Sequence, residues 1–291
     1  QHIPMVYYHV WDNYPAPVYN KSFYESNDLI ASISKVTHDI VSEVTDEVEN
    51  IYLPHAVDPQ FFKPLGEDDI QKIKKEQGLE DKFIFFWNNR NARRKMSGSL
   101  VHWFKKFADK VGNDKVTLIM HTDPKDPYGQ DLEHLVRHFG ADNGEIMLSR
   151  EKVAPDHLSM MYNIADCTIN ISDAEGFGLA TLESLSCATP IIVTMTGGLQ
   201  EQVTDGEKWF GIGIEPTSKA LIGSQQVPYI YEDRICESDF IDALVKIYEM
   251  SSEERKSLGE LGREHVVKNY SFKNYQNSWV ELLDRVHKEH G

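Results

Sequence analysis

A chain of 291 residues with 41% hydrophobic side chains is long enough for about two domains and too apolar to be disordered. Its formal net charge of −16 argues against general nucleic-acid binding, and makes a local basic cluster at Arg90, Arg93, Arg94 and Lys95 the more informative. No apolar run approaches the roughly 18 residues of a membrane span, which leaves only peripheral membrane contact open. The cysteines, Cys167, Cys187 and Cys236, are widely spaced and form no CxxC pair. That speaks against a disulfide framework or structural zinc and fits a reducing, cytoplasmic setting.

In chain order, residues 3–9 read as a buried strand ending in His9, and a loop rich in Pro, Tyr and Asn leads to a helix from Lys21. Residues 28–34 make the next strand, 37–44 a short helix, and 51–58 a strand running into a turn. A polar helix over 66–79 precedes a second unit. Its first buried strand is 82–87, and the loop 88–95, NNRNARRK, lies at the carboxyl end of that strand. Ser97 is placed to cap the helix through Trp103, Phe104 and Phe107. A strand over 115–121, a loop with two prolines, a helix over 132–139, a short strand over 145–148 and a helix over 155–163 follow. His134 and His138 stand at i, i+4 without a third ligand, so no metal site is expected there.

The pattern centres on residues 173–189, DAEGFGLATLESLSCAT. Residues 167–171 are a buried strand, Gly176 and Gly178 bracket Phe177 in a turn, and Leu179, Leu182 and Leu185 recur at helical spacing. Pro190 ends that helix and a strand over 191–194 follows. This is a β-α-β unit whose turn lies where open parallel sheets bind ligands, with a helix N-terminus suited to phosphate. Glu175 and Glu183 flank it with seven residues between them. Next, Gly197 and Gly198 make a turn into a short helix carrying Glu201. Residues 217–232 look irregular. Helices over 238–250 and 251–269, with Ser252 as a cap, and a last helix over 271–290 complete the chain.

EGFGLATLE resembles the E-x7-E motif of retaining glycosyltransferases with the GT-B fold, most closely the family 4 (group 1) enzymes. The resemblance implies an α/β protein of GT-B type with two Rossmann-like domains. It runs through the chain in order, and only the second half of the N-terminal domain has a counterpart. Residues 1–60 are then a partial acceptor-side domain, 61–270 the donor-binding domain with a parallel sheet flanked by helices, and 271–291 a helix returning to the first unit. A whole enzyme of this kind would need about 350–400 residues at ordinary domain sizes. With Gln1 rather than Met at the start, the sequence is expected to be N-terminally incomplete or unusually short, and the apolar face of the last helix (Trp279, Leu282, Leu283, Val286) partly unburied.

By that resemblance Glu183 binds the ribose of a nucleotide sugar, and Glu175 faces the donor sugar. Arg90 and Lys95 match the spacing of the family's diphosphate clamp, although Asn89 and Met96 replace its flanking glycines. Phe177, Gly178 and Leu179 approach the phosphate, Gly197 and Gly198 the sugar, and Leu148 and Ser149 the base. His9 either points into the cleft as a catalytic contact or is a strand-end histidine satisfied within the fold. Glu201 is expected to anchor its loop. The implied activity is hexosyl transfer from a nucleotide-diphosphate sugar to a hydroxyl acceptor with retention, without metal or other cofactor. The alternatives are a nucleotide- or glycan-binding module without turnover and a GT-B-fold nucleotide-sugar epimerase. Base, sugar and acceptor are not legible.

Overall fold

The computed structural model describes residues 3–290. The first unit holds β1 (Val6–His9), α1 (Lys21–Glu25), β2 (Leu29–Ser32), α2 (Lys35–Val44) and β3 (Glu49–Tyr52). Its strands form a parallel sheet in the order β1-β2-β3. After α3 (Glu67–Glu76) come β4 (Phe83–Asn88), α4 (Ser97–Val111), β5 (Val116–His121), α5 (Leu132–His138), β6 (Ile146–Ser149) and α6 (Pro155–Ile164). Then follow β7 (Cys167–Asn170), α7 (Leu179–Ser186), β8 (Ile191–Thr194), α8 (Leu199–Val203) and β9 (Gly211–Ile214). A hairpin of β10 (Ser218–Ile222) and β11 (Ile230–Arg234) precedes α9 (Glu237–Glu249), α10 (Ser252–Asn269) and α11 (Phe272–His290).

The second sheet has six strands in the order β6-β5-β4-β7-β8-β9, with every pairing parallel. Strand β4 explains how such a sheet is filled. Its side chains alternate between faces, so Phe85 and Trp87 pack with Phe104, Phe107 and Phe240 from α4 and α9. Ile84 and Phe86 pack on the other face with Tyr162, Leu182 and Leu185 from α6 and α7. Both faces are apolar because both are covered by helices, and each large side chain removed from water contributes roughly 1.5–3 kcal/mol. The order also fixes a crevice. The chain runs outward from β4 through β5 to β6, then returns to β7 on the other side of β4. The carboxyl ends of β4 and β7 therefore diverge, the position at which doubly wound sheets take ligands.

Three local expectations are corrected. Residues 217–232 are not irregular: β10 and β11 pair antiparallel, with Ser218 opposite Arg234 and Ile222 opposite Ile230. The buried side chains of β11, Glu232 and Asp233 on its opposite faces, are charged and bonded rather than apolar, so the sequence lacks hydrophobic alternation there. The cap of α10 is Ser251, not Ser252, in a capping box with Glu254. Ser97 caps nothing: α4 starts after Met96 in the left-handed conformation (φ 57°), and the Ser97 hydroxyl donates to Asn91 Oδ1 at 2.7 Å.

The two units meet at a double crossing. Val57 and Ser271 form a parallel bridge, with Val57 N–H donating to Tyr270 O and Phe272 N–H to Val57 O, both at 2.9 Å. Helix α11 then lies on the first sheet. Leu282 and Val286 are buried against Leu29, Ala31 and Leu53, while Leu283 is 51% exposed and Val280 59%. The apolar face is thus half covered. No helix among the described residues is long and apolar enough to cross a membrane.

Candidate functional site

The crevice between β4 and β7 collects charge. The loop after β4 turns back beneath the loop after β7, held by Asp173 N–H donating to Arg94 O at 2.8 Å. Met96, in the left-handed region, closes this turn and directs Lys95 inward. Lys95 is buried and ion-paired through Nζ to Glu175 Oε2. Arg94 Nη1 donates to Ala174 O at 2.5 Å and stands 3.6 Å from Glu175 Oε1. Asn170, the last residue of β7, donates to Glu175 Oε2 at 3.2 Å, and Ser172 Oγ at 3.4 Å. Burial alone would push the Glu175 carboxyl up, but Lys95 and Arg94 outweigh it and hold it below the usual carboxylate range. Burial likewise pushes the Lys95 ammonium down, against the pull of Glu175.

The glycine turns pack onto that carboxylate's backbone. Gly198 N–H donates to Glu175 O at 3.0 Å. A Cβ on Gly197 would lie 1.7 Å from the same oxygen, and Gly197 has φ +47°. Gly197→Ala is therefore expected to lose at least about 2 kcal/mol in denaturant unfolding, through backbone displacement at Glu175. An unchanged midpoint would mean that the turn tolerates a side chain. Gly178 (φ +95°) turns the chain into α7, whose first residue Leu179 is exposed while Phe177 is buried.

Glu183 lies one helical turn further. Tyr162 Oη donates to Glu183 Oε2 at 2.7 Å and accepts from Asn88 Nδ2 at 2.8 Å. With that neutral hydroxyl as its donor, burial raises the Glu183 carboxyl to about 7. Glu201 anchors its loop, but to the other unit rather than to its own helix terminus. Its Oε2 accepts from Lys35 N–H at 2.6 Å, the first residue of α2. Its Oε1 accepts from Tyr52 Oη at 2.5 Å and Tyr270 Oη at 3.2 Å.

Other expected residues stand elsewhere. Arg90 is turned away from Glu175: its guanidinium grips Asp126 (Nε to Oδ2, 2.7 Å) and lies 4.7 Å over the Tyr128 ring. Arg94 occupies the position near Glu175 instead. Leu148 and Ser149 end the edge strand β6, where Leu148 joins the core and Ser149 Oγ bonds His121 Nδ1 at 2.8 Å. His9 is 3% exposed, its Nε2 paired with Tyr24 Oη at 3.0 Å, and burial lowers it to about 4. It is neutral, and Nδ1 has no partner among the described residues. His134 and His138 stack at 6.3 Å, and among the described residues no group of three or more His, Cys, Asp or Glu could hold a metal ion.

Sequence reasoning names Arg94 only within the basic cluster and singles out neither Asn170 nor Tyr162. Arg94 had a signal, its place beside Lys95. Asn170 ends a strand one turn before the motif and was taken only as strand. Tyr162 sat inside a correctly expected helix with nothing to mark it.

Comparison with known proteins agrees with this layout. The sequence model described as glycosyl transferases group 1 matches residues 69–264. An alpha-monoglucosyldiacylglycerol synthase of Streptococcus pneumoniae is 26% identical over 196 residues, covering 66% of this chain and 42% of that protein. A D-inositol 3-phosphate glycosyltransferase of Corynebacterium jeikeium is 24% identical over 242 residues, covering 81% and 50%. The chain thus spans half the length or less of these curated relatives. Among solved structures, sucrose-phosphate synthase from Thermosynechococcus elongatus superposes with TM-score 0.75 at 20% identity, covering 93% of this chain and 61% of that one. HepE from Anabaena, in complex with UDP-glucose, superposes with TM-score 0.73 at 14% identity, covering 97% and 72%. The fold is of GT-B type, and with the family match running through both loops that meet at Glu175, the chain belongs to the group 1 glycosyl transferases.

Proposed function

We propose that this chain carries the donor half of a retaining glycosyltransferase that moves a hexose from a nucleotide-diphosphate sugar to a hydroxyl acceptor. The observation that carries this is the buried Lys95–Glu175 pair with Arg94 beside it, at the crevice between β4 and β7 and next to the N-terminus of α7. During transfer the bond from the anomeric carbon to the β-phosphate oxygen breaks. The diphosphate leaves with its negative charge, and the acceptor oxygen bonds the carbon on the same face while its proton passes to the departing phosphate oxygen. Arg94, Lys95 and the helix terminus supply positive potential where the leaving charge develops, with no resident metal in the scheme. Glu175 keeps Lys95 charged despite its burial and orients the donor sugar. Glu183, whose carboxylate accepts from the Tyr162 hydroxyl through Oε2, accepts from the ribose diol. UDP is the first nucleotide to try, because HepE was solved with UDP-glucose.

Calorimetry against UDP, GDP and ADP tests this. One nucleotide is expected to bind with micromolar affinity, and Glu183→Ala to abolish it. Arg94→Ala should weaken binding roughly tenfold or more, while Arg90→Ala, paired with Asp126 on the surface, should change it less than about twofold. Absence of binding by a folded wild-type protein overturns the donor-site assignment. Anomeric configuration is then read by NMR on the transferred product.

A further inference from the structure

In the charged crevice, Glu175 Oε2 is taken up by Lys95, Asn170 and Ser172, and Oε1 stands 3.6 Å from Arg94 Nη1. A hydroxyl-bearing substrate needs an acceptor there, and a second carboxylate is at hand. Asp12 belongs to the first unit, just past β1, yet it reaches the glycine turns of the second. A Cβ on Gly176 would lie 2.9 Å from Asp12 Oδ1, and one on Gly197 would lie 3.0 Å from Asp12 O. The glycines leave room for this carboxylate to approach. Burial and the Glu175 charge push the Asp12 carboxyl up, against the pull of Arg94 and Lys95. Among the described residues the side chain of Asp12 forms no hydrogen bond, and it is only partly buried.

The residues on either side of it are built in. Trp11 O accepts from Thr37 Oγ1 at 3.0 Å. Asn13 Nδ2 donates to Asp233 Oδ2 at 2.7 Å, which also accepts from Thr196 Oγ1 at 2.7 Å. Tyr231 N–H donates to Tyr14 O at 2.7 Å, and Tyr19 Oη to Tyr229 O at 3.1 Å. The β10–β11 hairpin thereby clamps the loop that carries Asp12 onto the second unit. An unsatisfied carboxylate on a fixed backbone at a cluster of charges is a prepared acceptor.

We infer that Asp12 contacts the substrate, accepting a hydrogen bond from a hydroxyl of the donor sugar or of the acceptor. This rests on the donor-site assignment above. The alternative is that Asp12 only balances the charge of Arg94 and Lys95.

The test uses wild type, Asp12→Asn and Asp12→Ala, with UDP, GDP and ADP and their glucose-bearing counterparts as probes. Nucleotide release in the presence of glycerol and of a panel of monosaccharides is followed alongside calorimetry and thermal melts. In Asp12→Asn, affinity for the free nucleotide should stay within about twofold, while one sugar-dependent quantity falls roughly 10- to 100-fold, the range for a hydrogen bond to a charged group. A loss in affinity for the nucleotide sugar assigns the hydroxyl to the donor. A loss in kcat or a rise in acceptor KM at unchanged donor affinity assigns it to the acceptor. Unchanged binding and release in both variants overturn the inference. So does a parallel fall in free-nucleotide affinity and melting temperature, the mark of charge balancing alone. Wild type that binds no nucleotide overturns the donor-site assignment, and this inference with it.

Discussion

Glu183→Gln is expected to make the protein more stable at pH 8 while weakening nucleotide binding roughly tenfold. The Glu183 carboxyl titrates near 7 in the fold, against 4.5 as its ordinary value, chiefly because burial disfavours the charged form. A carboxyl with a raised folded value binds its proton more tightly folded than unfolded. Stability from this group is present in full below pH 4.5 and is lost as pH rises through 7. The difference is on the order of 3 kcal/mol at most, since each pKa unit is worth about 1.4 kcal/mol. Glutamine removes the cost of ionisation but keeps an oxygen for the Tyr162 hydroxyl. Melts of both proteins at pH 4.5 and pH 8 check this: the variant should gain a few degrees at pH 8 and nothing at pH 4.5. An equal gain at both would remove ionisation as the cause. The nucleotide loses a charged acceptor for its ribose, so the same substitution costs function, and wild-type affinity should itself fall as pH drops below 7.

Breaking the Lys95–Glu175 pair should have the larger effect on stability. Both partners are buried, so removing one strands the other's charge, which typically costs about 3–5 kcal/mol. Glu175→Gln keeps the bonds from Asn170 and Ser172 but leaves Lys95 facing Arg94 with only Asp12 as a nearby counter-charge. The Lys95 ammonium then gives up its proton more easily, and the stability deficit should narrow as pH rises. The double variant Lys95→Met, Glu175→Gln should cost clearly less than the sum of the single losses in chemical denaturation. Strict additivity would mean that the pair does not interact across the crevice. Nucleotide binding cannot be rescued by the double variant on this scheme, because the positive charge is gone.

How much was legible depended on whether a residue's role was set locally. The strand, turn and helix around Glu175 were readable because Gly176, Gly178 and the leucine spacing each act within a few residues. That the second sheet is parallel follows from the same alternation of buried strands and amphipathic helices, whereas its strand order is set by tertiary packing. In the loop after β4, spacing picked Arg90 as Lys95's companion. Side-chain direction there is set by the left-handed Met96 and by Asp126, thirty-six residues away, and these turn Arg90 outward and leave Arg94 beside Glu175. The hairpin is not legible because its buried side chains, Glu232 and Asp233, bond Arg93 and Asn13 rather than packing against apolar groups. Asp12 owes its position to residues more than two hundred places later in the chain, which no local pattern encodes.

The anchorage of Glu201 has a mechanical consequence. Helix α8 carries that carboxylate in its first turn, with the Gly197–Gly198 turn immediately before it. Three residues of helix span roughly 4.5 Å, so less than one turn of α8 joins the bearing of Glu201 on Lys35 and Tyr52 to the contact of Gly198 with the Glu175 backbone. Any swing of the first sheet about the double crossing is thereby geared to the glycine turn, and the crevice floor and the incoming loop advance in one stroke.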